Sequence, residues 1–273
     1  VLFRSMIEKY GLIFCIGIFY TVGMSNKRNV SVVVPVLNEE KLLPGMFDSL
    51  LKQIELPNEV LVVDGKSSDK TPEICVEYGK KFKKLGVKFR VLIEKKPGII
   101  RARDLGTRQA VSEVISSMDA DAVYPRDYLK IALSCFSHDK VVGVSGKNEV
   151  VDPAWFVVVE RRLQEWRDIV MFKLIKTIYF PRASNLLFLK SVYLKSGGMD
   201  VEIRSAEDEW GMAKLLNRFG KVYFDGRLKV LTSGRRMKQG FLVFIFKTVI
   251  WDYWLGYFRG KYLRHRVRYD RVD

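Results

Sequence analysis

The sequence predicts an α/β domain: a mostly parallel sheet with helices on both faces. Three observations carry that expectation. Strand-like and helix-like segments alternate from Asn29 onward, and a βαβα order means a parallel sheet covered on both sides. The strand-like segments are continuous apolar runs, as strands buried on both faces require. Finally, 273 residues, 48% of them hydrophobic, suffice for one domain of about 200 residues plus appendages.

The elements follow in order. Val30-Ser31-Val32-Val33-Val34 is a β-branched run and the first strand. Residues 41–53 place Leu42, Leu43, Met46, Phe47, Leu50 and Leu51 at helical spacing. Residues 59–64 form a second buried strand. Thr71-Pro72-Glu73 then starts a helix, with Thr71 expected as its cap and Pro72 in the first helical position. A third strand is expected at 87–93, a helix at 99–111, a fourth strand at 113–118, a helix at 128–136 and a strand at 141–145. After Pro153 the pattern changes. Trp155, Val159, Leu163, Trp166, Val170 and Leu174 form a stripe at helical spacing, interleaved with Glu160, Arg161, Arg162 and Arg167. The stripe is expected to pack this helix onto the domain; facing a membrane or an acceptor is the alternative. Strand character returns at 185–189 and helical character at 207–219. No internal repeat or low-complexity tract is present.

The two ends differ from this pattern. Residues 1–28 read as an apolar extension. Its apolar stretch, 10–24, is 15 residues long, under the roughly 20 needed to span a bilayer. Met24-Ser25-Asn26-Lys27 reads as a start, so residues 1–23 need not belong to the working protein. The domain proper is expected at 29–236. Residues 237–273 form an aromatic and basic tail. Lys247 and Asp252 interrupt its apolar stretch at 241–258, which fits an amphipathic, membrane-associated helix better than a spanning one. Packing on the domain is the alternative.

Composition excludes several chemistries. Cys15, Cys75 and Cys135 are widely spaced and odd in number, which fits reduced thiols without a disulfide framework or zinc spacing. With His138 and His265 alone, a histidine metal site or a Ser-His-Asp triad is disfavoured. The net charge of +16 suggests nucleic acid, anionic lipid or a phosphorylated substrate. Arg259, Lys261, Arg264, Arg266, Arg268 and Arg271 lie beside the aromatic tail, which favours a membrane surface over nucleic acid.

Chemistry concentrates at three strand ends. The first strand runs into Pro35-Val36-Leu37-Asn38-Glu39-Glu40, the second into Asp64-Gly65-Lys66-Ser67-Ser68-Asp69-Lys70-Thr71, the fourth into Asp119-Ala120-Asp121. Each alone can be a plain turn. Together they put acidic residues on the sheet edge where α/β ligands bind, and Asp-x-Asp can hold a hard divalent cation. Negative charge on that rim argues against nucleic acid. Neither a dinucleotide-binding glycine fingerprint nor a P-loop is present.

These segments, with Gly98-Ile99-Ile100-Arg101-Ala102-Arg103-Asp104-Leu105-Gly106, resemble family-two glycosyltransferases of the GT-A, Rossmann-like fold in order and spacing, over roughly 29–233. The resemblance implies inverting transfer of a sugar from a UDP- or GDP-sugar, with Mg²⁺ or Mn²⁺. Carried over by position, Pro35, Leu37, Glu39, Asp64, Arg103 and Asp119 would bind the donor, and Asp119 and Asp121 the metal. Asp208, in the acidic pair downstream of Gly197-Gly198-Met199-Asp200, would be the general base. Arg235 and Arg236 would clamp the diphosphate; a basic loop at the membrane is the other reading. Gly65, Asp104 and Leu37 depart from the family pattern, where aspartate, asparagine and an aromatic are usual. No QxxRW-like segment occurs, which argues against processive synthesis. The acceptor implied is a glycan or a lipid-linked glycan at the cytosolic membrane face, with a polyprenyl phosphate as a variant. A non-enzymatic binder of membrane or nucleic acid and a sugar-nucleotide pyrophosphorylase are the competing classes.

Overall fold

The computed structural model describes residues 29–151, 153–201 and 208–233, with the backbone alone at 208–210. The expected N-terminal extension, the tail, Glu207, Arg235 and Arg236 lie outside the described residues.

Among the described residues, eight strands form one sheet: β1 (Val30–Val36), β2 (Glu59–Asp64), β3 (Lys88–Ile93), β4 (Val114–Ser117), β5 (Ala122–Val123), β6 (Val141–Val150), β7 (Leu186–Leu189) and β8 (Lys221–Thr232). Their order is β3-β2-β1-β4-β7-β6-β8-β5. The first four run parallel, as expected. Further across, β7 is antiparallel to both β4 and β6, β8 is parallel to β6, and β5 is antiparallel to β8. The fold is a mixed α/β sheet, parallel on its first side and mixed on the other.

Helices cover both faces because successive strand residues point opposite ways. Val32, Val34, Val60 and Val62 pack with α1 (Leu43–Leu51), α2 (Thr71–Lys84) and α4 (Tyr128–Cys135). Val33, Leu61 and Val63 pack with α3 (Ile99–Gln109) on the other face, where α6 (Lys190–Lys195) and α7 (Asp208–Leu216) also lie. This two-sided burial is why β1 and β2 read as unbroken apolar runs.

Two expectations are corrected. Thr71 does not cap α2. It is the first residue of the helix, and its hydroxyl accepts the Glu39 N–H at 2.9 Å instead. Asp69 takes over at the helix start, accepting the Thr71 N–H at 3.0 Å. The second correction concerns α5 (Trp155–Ile175), which packs with its expected contact face outward. Trp155, Leu163, Trp166 and Leu174 are 70%, 62%, 66% and 76% exposed. The opposite face meets β6 and β8 through Phe172, whose ring lies 4.8 Å from that of Tyr223, and through ion pairs. Among the described residues, no helix is long and apolar enough to cross a membrane.

Candidate active site

Strand order creates the site. The chain moves from β1 outward through β2 to β3, then returns to the other side of β1 as β4. A crevice forms beyond the strand ends where the order reverses, and ligands of open α/β sheets bind there. Asp64 ends β2, and Asp119 and Asp121 follow β4. One intervening strand separates these carboxylate groups by about 10 Å across the sheet.

On the β1–β2 side, two sharp turns leave backbone N–H groups that the ladder cannot satisfy, and each loop satisfies the other's. Asn38 N–H donates to Ser67 Oγ at 2.9 Å, and Ser68 N–H to Asn38 Oδ1 at 2.8 Å. Glu40 N–H donates to Asp69 Oδ2, and Lys70 N–H to Glu40 Oε2, both at 3.0 Å. Asn38 and Lys66 adopt left-handed backbone conformations, with φ of 55° and 67°, which sharpen both turns. The result is a fixed Asp64. Its buried carboxylate accepts from Ser67 N–H at 2.9 Å and from Ser67 Oγ at 2.7 Å. Pro35 is buried within β1 and Glu39 is half-buried in the laced loop. Leu37 is exposed at the rim, beside Gly65.

On the β4 side, Arg103 organises the Asp-x-Asp turn. Its guanidinium lies 2.6 Å from Asp119 Oδ1 and also donates to Ser117 Oγ and to the Ala183 carbonyl, the latter at 3.1 Å. Arg103 reaches this position because α3 lies close on the sheet. Gly106, one turn later, permits the approach: a Cβ there would stand 2.4 Å from Val33 Cγ1. Tyr124 supports the same turn from below. Its hydroxyl receives the Asp119 N–H at 3.2 Å and donates to the Ser184 carbonyl at 2.8 Å. Burial, with Tyr128 and Asp119 nearby, holds Tyr124 neutral by pushing its pKa well up. The 3₁₀ turn Ala183–Asn185 thus anchors both Arg103 and Tyr124. Asp121 is fixed separately: Ser233 Oγ donates to its Oδ2 at 2.9 Å, and Ser233 N–H to its carbonyl at 3.1 Å.

The Asp-x-Asp pair meets the chemical demand of a divalent cation. Its donors are hard carboxylate oxygens, half-exposed at the rim. Among the described residues no cluster of three metal-ligating side chains occurs. Magnesium requires none, since one or two carboxylates with substrate phosphates suffice.

Asp208 is the first residue of α7. Met212, further along this helix, lines a small cavity with Arg103, Ser117, Ala183 and Met199. Asp104 has a separate role. It accepts from Tyr193 Oη at 2.6 Å and from Arg108 Nε at 2.9 Å, and Tyr193 Oη in turn receives the Met199 N–H at 3.1 Å. Asp104 thus helps to fix the glycine loop at Gly197 and Gly198.

Sequence reading missed Tyr124, Ser184 and Ser233. Their signals were faint: a tyrosine just beyond the acidic turn, and a serine after the last strand. Neither described cysteine is poised to react. Burial, with Asp64 adding for Cys75 and Asp225 for Cys135, pushes both thiols up to about 12.

Comparison with known proteins gives the family and the fold. The family profile "Glycosyl transferase family 2" matches residues 31–197, more than half of the chain. The chain belongs to glycosyl transferase family 2. One relative is the undecaprenyl-phosphate 4-deoxy-4-formamido-L-arabinose transferase of Pectobacterium carotovorum. It is 38% identical over 101 residues, which are 36% of this chain and 30% of the relative, so this chain matches less than a third of that protein's length. Among solved structures, the fold is similar to Staphylococcus aureus TarS 1–349 in complex with UDP-GlcNAc. There the TM-score is 0.60 at 22% identity, over 78% of this chain and 61% of the other. It is also similar to the mannosyltransferase PcManGT of Pyrobaculum calidifontis in complex with GDP-Man and Mn²⁺. That match has a TM-score of 0.65 at 19% identity, over 84% of this chain and 66% of the other. At these identities the structural likeness establishes the family-two GT-A fold.

Proposed function

We propose that the protein transfers a sugar, with inversion, from a UDP- or GDP-sugar to a hydroxyl of a glycolipid or lipid-linked glycan at the cytosolic membrane face. The convergence of Asp64, Asp119 and Asp121 on the crevice between β1 and β4 carries this reading. Lipid and nucleotide-sugar words in the names of similar proteins support it.

The chain's own residues divide the work. Asp64 accepts hydrogen bonds from the base or ribose, and its bond to Ser67 fixes the oxygen that does not. Pro35, Leu37 and Glu39 border the nucleoside. Arg103 orients Asp119 toward the ribose and the cation shell. Asp121, with Asp119, would hold Mg²⁺ or Mn²⁺. When bound, that ion supplies positive charge against the leaving diphosphate. Arg235 and Arg236 would add donors to the same phosphates. Asp208 takes the acceptor's proton as general base.

One variant of the acceptor is a polyprenyl phosphate, favoured by the name of the Pectobacterium relative. A phosphate oxygen is already ionised, so Asp208→Asn would abolish transfer to hydroxyl acceptors while sparing transfer to a lipid phosphate.

Thermal unfolding with UDP or GDP, with and without Mn²⁺, tests the donor site. Ligand at 100 times its dissociation constant adds about 2.7 kcal/mol. A metal-dependent shift with one nucleotide, lost in Asp121→Ala, supports the reading. A folded protein that shifts with neither nucleotide overturns it.

A further inference from the structure

We propose that the outward face of α5 docks on an anionic lipid bilayer. The inference deepens the membrane-side reading above, and rests on it only for the location of the acceptor.

The helix is built inside out. Its polar side chains are used against the protein or on one another: Glu165 pairs with Lys147 of β6, Gln164 receives Arg182, and Asp168 pairs with the adjacent Arg167 of the same helix. Its large apolar side chains point away. Trp155, Leu163, Trp166 and Leu174 are each more than 60% exposed and repeat at helical spacing on one face. A helix buried in the usual sense would invert this arrangement. Two tryptophans spaced along one face are the side chains that settle at a headgroup boundary, with an apolar ring and a polar N–H.

Charge selects the partner. The acidic groups of α5 are turned inward or paired: Glu160 with Arg161, Glu165 with Lys147, Asp168 with Arg167. Arg162 and Lys173 border the apolar face and are exposed, and Lys176 follows at the helix end. The face is thus apolar with a cationic border, on a chain of net charge +16. An amphipathic surface of this kind binds where apolar insertion and anionic headgroups coincide. A neutral protein groove would leave the border unused.

Topology puts the face beside the site. Val150 of β6 is in register with Thr232, and Ser233, the next residue, binds Asp121. The helix begins at Trp155, a few residues after Val150, so its first turn emerges on the rim that carries the Asp-x-Asp turn.

The test uses the full chain with Trp210, Trp251 and Trp254 changed to Phe, which leaves Trp155 and Trp166 as reporters among the five tryptophans. Vesicles of phosphatidylcholine, with and without phosphatidylglycerol and brominated acyl chains, are the probe. The expected result is a blue-shifted emission quenched by the brominated chains, on the anionic vesicles. Arg162→Glu with Lys173→Glu should weaken vesicle binding by roughly 25-fold or more, since each such charge is worth about fivefold near an anionic surface. Leu163→Ser with Trp166→Ser should abolish quenching with no change in melting temperature. Vesicle binding without quenching, or unaffected by these substitutions, overturns the proposal. So does an emission already blue-shifted and unquenchable, which means that another part of the chain covers the face. A dimer dissolved by Trp166→Ser also overturns it, in favour of a second copy. Nucleotide and turnover play no part in the measurement, so failure of the transferase reading and failure of the docking surface remain distinguishable.

Discussion

The Arg103 guanidinium and the Asp119 carboxylate meet at 2.6 Å with unequal exposure: the arginine side chain is 7% exposed and the aspartate 28%. Loss of the two partners should therefore differ. Arg103→Ala leaves Ser117, the Ala183 carbonyl and Asp119 without their donor in a nearly closed space, and should destabilise by about 3 kcal/mol. Asp119→Asn keeps an acceptor at a half-open position and should cost about 1 kcal/mol. Urea titration of both variants checks the order. For donor binding the order should reverse, with Asp119→Asn raising the donor KM the more, because it removes a charge facing the crevice.

Gly106 should be intolerant of even one added carbon. Its Cβ would lie 2.4 Å from Val33 Cγ1 and 3.0 Å from Val63 Cγ2. Gly106→Ala must lift α3 from the sheet, at a cost of about 1–3 kcal/mol. That movement draws Arg103 away from Asp119, so nucleotide affinity should fall together with stability. A parallel loss in calorimetric binding and in melting temperature is the expected signature.

Asn185 should be among the costliest side chains to remove. It is fully buried, accepts from Tyr128 Oη at 2.9 Å and donates to the Lys147 and Leu228 carbonyls at 3.0 Å each. Those carbonyls sit where the β6–β8 register shifts and the ladder cannot serve them. Asn185→Ala orphans three buried groups at about 1 kcal/mol or more apiece, so the total should be about 3 kcal/mol or more. Urea unfolding measures it.

Asp69 gives the stability curve an acid limb. Burial would raise its pKa. Bonds from the Thr71 hydroxyl and from the Glu40 and Thr71 N–H groups outweigh burial and hold it below the ordinary 3.8. A depressed folded value means that the carboxylate stabilises the fold above pH 3.8 and that this contribution disappears as pH falls through the lowered value. Asp69→Asn should lower the melting temperature near neutral pH and narrow its difference from the parent protein in strong acid. Melting curves between pH 2.5 and 7, at about half-unit steps, test both.

Much of the rim was legible in the sequence because polar residues that interrupt an apolar run mark a strand's end whatever surrounds them. Asp64, Asp119 and Asp121 were found that way, and their convergence follows from strand order. The direction of β7 was not legible: Leu186–Leu189 is a short apolar run, and such runs carry no sign of parallel or antiparallel pairing. β8 was missed because Lys221, Asp225, Arg227 and Lys229 break its apolar pattern. Periodicity gave the stripe of α5 correctly but not its orientation. Spacing states which residues share a face, while pairings with the neighbouring strand, such as Glu165–Lys147, decide which face turns inward. Thr71 failed as a cap for a similar reason, since Glu39, far away in sequence, claimed its hydroxyl.

The reciprocal bonds between the loops after β1 and β2 have a practical consequence for altering donor choice. Asn38, Glu39 and Glu40 hold their shape through Ser67, Asp69 and Thr71, and the reverse. The two loops are therefore a single inheritable unit, although some thirty positions separate them in the chain. Transplanting either one from a relative of different base preference should yield a misfit. Transplanting both together is the smallest exchange that keeps the interlock intact.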